Sequence, residues 1–266
     1  MKLFKRTVTL LLCLILMSGI VTFFLAFYDN GKTKISDFET KKILSLLDEH
    51  NIKINDNVLP KSYPDLPVIS LKNAVYEPLS FARQVLGKDF SVLDSKTYIK
   101  DNRIVEIEEN EFSIGFSDEA LLKNEFILST PENYGNLIKK AVSKLGFDSS
   151  EVKIVINNKD SYSTVFKTVN GYPVFDCTFR VSFDNGISKV NGMWFEPLSS
   201  KYYKKHKSLI TVISEICQNS NLNGKEITEI SAGYKIGEIS GYKKEVIATP
   251  VWRVTFDDKL TYDYTM

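Results

Sequence analysis

Histidine, cysteine and tryptophan are nearly missing from this chain: its 266 residues include two histidines, three cysteines and two tryptophans. His50 and His206 lie far apart, so a histidine-based metal site or a catalytic triad would have to bring distant segments together, and both read as surface residues. Cys13 falls inside an apolar run, which leaves only Cys177 and Cys217 elsewhere and excludes a disulfide-dense scaffold. These two read as buried free thiols, with a bridge as the alternative. Excess charge is missing as well. The formal charge is +1, and without Lys2, Lys5 and Arg6 it is −2, which argues against a nucleic-acid partner. There is no Gly-x-Ser-x-Gly, no glycine-rich phosphate loop and no pair of Cys-x-x-Cys motifs. Ser150 with Lys153 and Ser240 with Lys243 match the Ser-x-x-Lys spacing of cell-wall transpeptidases. Neither sits on an expected helix, and the companion Lys-Thr-Gly and Ser-x-Asn elements are missing. No catalytic residue, cofactor or metal ion is expected.

What the chain does have is an uncharged stretch, Thr7 to Phe27, directly preceded by Lys2, Lys5 and Arg6. At about 1.5 Å per residue, roughly 21 helical residues span about 31 Å, the thickness of the hydrocarbon core of a bilayer. The three cations hold the N-terminus in the cytoplasm, so the expectation is a single-pass protein of the cell membrane with its C-terminal part extracytoplasmic. A cleaved signal peptide would need a shorter apolar region and a small-x-small site, whereas Ala26-Phe27-Tyr28-Asp29 offers bulky residues. Along this helix Ser18, Thr22 and Ala26 share a narrow stripe with Gly19 at its edge. Small residues let another helix approach closely, which makes these four the candidate partner-binding face.

Beyond the anchor the pattern is α+β: two extracytoplasmic units of antiparallel sheet with packed helices. The expected division is a cytoplasmic tip (1–6), the transmembrane helix (7–27), a stalk helix and proline-containing linker (28–67), a first domain (68–128) and a second (129–266). Ser36-Asp37-Phe38-Glu39 is a capping box that opens a helix to about Glu49, and Pro60, Pro64 and Pro67 favour extended chain. Glu77-Pro78 and Thr130-Pro131 each open a further helix, and apolar spacing marks another around Leu209 to Cys217. Strands are expected at 90–99, 103–108, 111–116, 151–157, 162–169, 172–183 and 187–195, then near 227–236, 245–256 and 260–264. Asn170-Gly171 between two alternating runs is a strong hairpin signal. The acids Glu106, Glu108, Glu109 and Glu111 and the pair Asp257-Asp258 adjoin strand turns and read as solvated. The basic run from Lys201 to Lys207 reads as a solvated connector, and the strand aromatics as sheet packing.

The run from Tyr162 to Pro197 and the closing Thr249 to Tyr264 carry a resemblance. Asn170-Gly171-Tyr172-Pro173-Val174, Trp194-Phe195-Glu196-Pro197 and Pro250-Val251-Trp252-Arg253-Val254 are similar to motifs of the YycI and YycH family of Gram-positive membrane proteins, nearer to YycI. The layout of tip, anchor, helical stalk, linker and two α+β units resembles that family over essentially the whole chain. The resemblance implies a non-enzymatic accessory regulator of a sensor histidine kinase that governs cell-wall metabolism, acting through contacts between transmembrane helices. A second, YycH-like member is a further partner it implies. The family brings no catalytic residues to carry over. From another class, the chain could instead be an extracytoplasmic binding module for a wall fragment, a peptide or a protease, using a sheet edge or an aromatic groove; a wall-remodelling enzyme is a third reading.

Overall fold

The computed structural model describes residues 32–117, 120–157, 161–201 and 207–266. The expected anchor, with Ser18, Gly19, Thr22 and Ala26, lies outside the described residues, as do His206 and most of the basic run. No helix among the described residues is long and apolar enough to cross a membrane. The chain folds into two compact units, both built from discontinuous segments.

The first unit takes the chain up to Leu66 together with Ser208–Ile230 and Val254–Leu260. Helix α1, Asp37–Glu49, begins where the sequence places it, because the Ser36 hydroxyl accepts the Glu39 N–H at 3.2 Å. Its apolar positions Ile43 and Leu47 are one turn apart and buried. Short strands β1, Lys32–Lys34, and β3, Ser62–Pro64, pair antiparallel, and β2, Lys53–Ile54, lies between them in sequence. The sequence leaves α1 either to continue the anchor as a stalk or to dock on the first domain; it is docked, but on residues 209–217. Helix α5, Leu209–Cys217, packs on α1, and it buries Leu209, Val212, Ile213, Ile216 and Cys217. Strand β2 pairs in parallel with residues 226 and 227. An isolated amphipathic stripe has to be covered, and α5 is the apolar helix that covers it.

The second unit comprises Pro67–Lys207, Ser231–Arg253 and Thr261–Met266. In chain order it holds β4 (Val68–Asn73), helix α2 (Pro78–Leu86), β5 (Ser91–Val92), β6 (Thr97–Lys100), β7 (Arg103–Glu108) and β8 (Glu111–Phe116). Helices α3 (Lys123–Ile127) and α4 (Tyr134–Lys144) follow, then β9 (Val152–Asn157), β10 (Tyr162–Val169), β11 (Tyr172–Phe183), β12 (Ile187–Met193) and β13 (Phe195–Lys201). Strands β14 (Glu226–Ile236) and β15 (Glu245–Phe256) divide their residues between the two units, and β16 (Thr261–Thr265) closes the chain.

Strand pairing runs β5-β6-β7-β8-β12-β11-β10-β9, antiparallel throughout. A second series, β13-β4-β15-β14 with β16 beside β15, meets the first through a single parallel bridge between Val174 and Tyr234. The expected boundary near residue 128 does not follow these contacts, because β8, from before it, pairs with β12, from after it, over Glu111–Gly115. Helix-then-meander units look separable in sequence, but the register of β12 against β8 makes one sheet of them.

The expected hairpin at Asn170-Gly171 is present, and both residues take positive φ, 52° and 82°, as a two-residue turn between twisted strands requires. Two expected strands divide. In 90–99, Asp94 accepts the Lys96 N–H at 2.7 Å and the Thr97 hydroxyl at 3.1 Å, and this turn separates β5 from β6. In 187–195 the chain leaves β12 at Trp194 and continues as β13, which pairs with β4 and runs past Pro197 to Lys201. Alternation cannot reveal such a change of sheet. The core between the first series and the helices is aromatic: Phe81, Phe112, Phe147, Phe179 and Trp194 are all buried, with neighbouring ring centroids 4.9 to 6.0 Å apart.

Candidate functional site

Lysine is rarely buried without a partner, yet Lys167 on β10 has a side chain only 1% exposed. Alternation along β10 turns Ser163, Val165 and Lys167 inward. The Lys167 ammonium pairs with Glu151 at 3.2 Å and Glu196 at 3.1 Å and stands 5.7 Å from the centre of the Trp194 ring. The Trp194 indole N–H donates to the other oxygen of Glu196 at 2.7 Å. Burial alone pushes the lysine pKa down, but the charges and hydrogen bonds of Glu196 and Glu151 outweigh it and hold the pKa above the ordinary lysine value. An ammonium held this way stays protonated at neutral pH, so it serves neither as a base nor as a nucleophile. It ties β10 to the start of β13 and to the segment before β9.

A second ionic cluster sits on the last strands. Arg253 grips Asp263 through two bonds of 2.7 and 2.8 Å, Lys235 reaches the same carboxylate at 3.0 Å, and the guanidinium lies 3.8 Å above the Phe175 ring. Burial pushes the Asp263 carboxyl up, but its bonds to Arg253 and Lys235 win and lower it. Asp176, bonded to the Ile236 N–H at 2.9 Å, is raised chiefly by burial.

Two asparagines form a latch that the sequence reading missed. The Asn73 amide donates to Asn110 at 2.8 Å and to the Lys243 carbonyl at 3.1 Å, and the Asn110 amide donates to the Gly241 carbonyl at 2.8 Å. The neighbouring Tyr242 hydroxyl donates to the Val75 carbonyl at 2.7 Å, and its ring stacks on Tyr76 at 4.9 Å. Asn110 sits in a turn that reads as solvated, and it is 6% exposed. Nothing local distinguishes it from an ordinary turn asparagine, because its partners are more than 30 residues away in sequence.

The other sequence candidates are not gathered into a site. Cys177 and Cys217 are free and buried, as read. The Cys177 sulfur accepts the Phe195 N–H at 3.1 Å, and burial pushes both thiols up, away from reactive thiolate. His50 is exposed at the C-terminal cap of α1. Ser150 donates to Asp148 at 2.6 Å, and Lys153 is exposed on β9. Asp258 pairs with Lys225 at 2.6 Å in a turn, and Glu106, Glu108 and Glu111 are exposed. Among the described residues no group of three or more His, Cys, Asp or Glu side chains is placed to hold a metal ion.

The polar clusters thus bind strand to strand, and they define an α+β protein of extended antiparallel sheet whose internal charges hold its fold. The chain belongs to the YycI family: the sequence model of that family, described as YycI protein, matches residues 31–265. Among solved structures it is similar to an uncharacterized protein from Eubacterium rectale, with 12% identity and a TM-score of 0.47 over 85% of this chain and 94% of that one. It is also similar to YycH from Bacillus subtilis, with 13% identity and a TM-score of 0.45; the match covers 76% of this chain and spans 54% of that one. No curated protein sequence matches the chain.

Proposed function

We propose that this chain is a membrane-anchored, non-enzymatic accessory regulator of a sensor histidine kinase that controls cell-wall metabolism, and that it acts through transmembrane helix contacts. The observation that carries this reading is membership of the YycI family over residues 31–265. The uncharged stretch from Thr7 to Phe27 supports it, since a helix of that length and composition anchors the chain beside the helices of a membrane kinase. The stripe of Ser18, Gly19, Thr22 and Ala26 is the face offered to that partner, and a YycH-like protein is a second partner.

The test is crosslinking in the membrane followed by identification of what co-purifies. Replacing Gly19 and Thr22 with Leu fills the small-residue face, so the double variant should lose most kinase capture and change kinase output, while Leu12→Ile and Leu25→Ile should leave both alone. Unchanged capture and signalling in a normally expressed Gly19→Leu, Thr22→Leu variant would reject this face.

Orientation has its own test. A reporter that is active only outside the cytoplasm, fused after Met266, should be active in intact cells, because the three N-terminal cations stay inside. An inactive reporter in a normally expressed fusion, or a mature protein that begins after Ala26, would refute the anchored topology.

A further inference from the structure

Strand β9 ends its sheet: it pairs with β10 on one side and has no strand partner on the other among the described residues. The phase of its ladder is fixed by the Thr168 N–H, which bonds the Glu151 carbonyl at 2.9 Å in line with the register that sets Lys153 opposite Phe166 and Val155 opposite Thr164. Backbone groups alternate in direction along an antiparallel strand, so 153 and 155 point theirs at β10, and Val152, Ile154 and Ile156 point theirs out of the sheet. Among the described residues this edge has few of the usual protections. It contains no proline, its pairing with β10 has no bulge, and its single charge, Lys153, stands on the solvent face beside Val155, which is 48% exposed. On the other face Val152, Ile154 and Ile156 are only half buried.

We propose that β9 is a homodimer edge, with two copies pairing antiparallel about a twofold axis at Ile154. Backbone and side chains select this one register. With Ile154 opposite its twin, Val152 falls opposite Ile156, and all three outward-pointing residues of each strand find hydrogen-bonding partners. Moving the axis to Val155 brings only Ile154 and Ile156 into bonding positions. On the helix-bearing face every cross-dimer pair is then aliphatic. On the solvent face the stem of Lys153 lies along Val155 of the second copy, so no like charges meet and the exposed valine is covered. Six residues of edge cover well under the roughly 1,200 Å² of a stable specific interface, so the dimer is weak and concentration dependent.

Sedimentation equilibrium of the full chain in detergent micelles, up to about 500 µM, tests this directly. The unaltered chain should show a reversible monomer–dimer equilibrium. Val155→Lys sets two lysine pairs opposite each other across the axis and should weaken dimerisation by about three- to tenfold. Adding Lys153→Glu to that variant should restore it, because each lysine then faces a glutamate; about an axis at Val155 the two lysines would still oppose each other, and no rescue would follow. Thermal unfolding of the dilute variants should match that of the parent, since both side chains are exposed. A chain that stays monomeric throughout, a dimer indifferent to Val155→Lys, or a failure of the second substitution to rescue would each overturn the proposal.

Discussion

Replacing Glu151 and Glu196 together with Ala is expected to destabilise the protein by about 3–5 kcal/mol, because it leaves the buried Lys167 ammonium with no counter-charge. Lys167→Met should cost far less. Methionine fills a similar volume without a charge, and the two glutamates, each more than two-fifths exposed, can return to water. The asymmetry distinguishes a buried charge from lost packing, and urea unfolding of the three proteins measures it. The pH dependence should separate them further. In the parent the folded lysine pKa is raised, so its contribution is complete below the unfolded value of about 10.4 and is lost as pH rises through the folded value. In the double variant only burial remains, the folded pKa is depressed, and stability is regained as pH rises toward the unfolded value. The gap between the two proteins should therefore narrow in alkali. A double variant as stable as the parent at neutral pH would show that the ammonium is not confined as described.

Gly192→Ala should be nearly as damaging, at roughly 3 kcal/mol or more. A Cβ at this position of β12 would lie 2.3 Å from the Thr178 carbonyl oxygen and 2.5 Å from the Phe179 Cα, and because both atoms are backbone of the adjacent strand neither can swing aside. Relief would require β11 and β12 to part. Gly192 stands opposite Phe179 on one side and Phe112 on the other, at the floor of the aromatic core, so any separation there also loosens the rings. Gly115 on β8 is the control. A Cβ there meets nothing within 4 Å, and alanine should be neutral or stabilise by up to about 1 kcal/mol through the smaller entropy of the unfolded chain. Equal unfolding midpoints for the two variants would contradict the close approach of β11 and β12.

Local chemistry explains what was legible in the sequence. The capping box at Ser36, the first-turn proline Pro78, the turn at Asn170-Gly171 and the apolar spacing of Leu209, Ile213, Ile216 and Cys217 all act within a few residues, and each produced the expected element. Helix α3 was missed, for its five residues carry no capping side chain and no repeat of the apolar period. Strand β13 was missed because Pro197 and a run of exposed residues hide it, and it exists only because β4 offers it a ladder. Of the internal polar clusters almost nothing was visible. Lys167 sits between Phe166 and Thr168 in a pattern that would as readily bury the phenylalanine, and only the presence of Glu196 from β13 makes the inward lysine tolerable.

By itself the sequence determined the α+β class, the positions of most helices and hairpins and the family resemblance, since these follow from periodicity, turn residues and short motifs. Tertiary structure alone decided that α1 packs on α5, that β8 and β12 share a sheet, that Asn73 and Asn110 latch the 241–243 loop, and that β9 is left as an edge. The physical reason is range. A cap or a turn is paid for by neighbours in the chain, whereas strand register, buried ion pairs and unfilled edges are settled by groups that meet only after the chain has closed on itself.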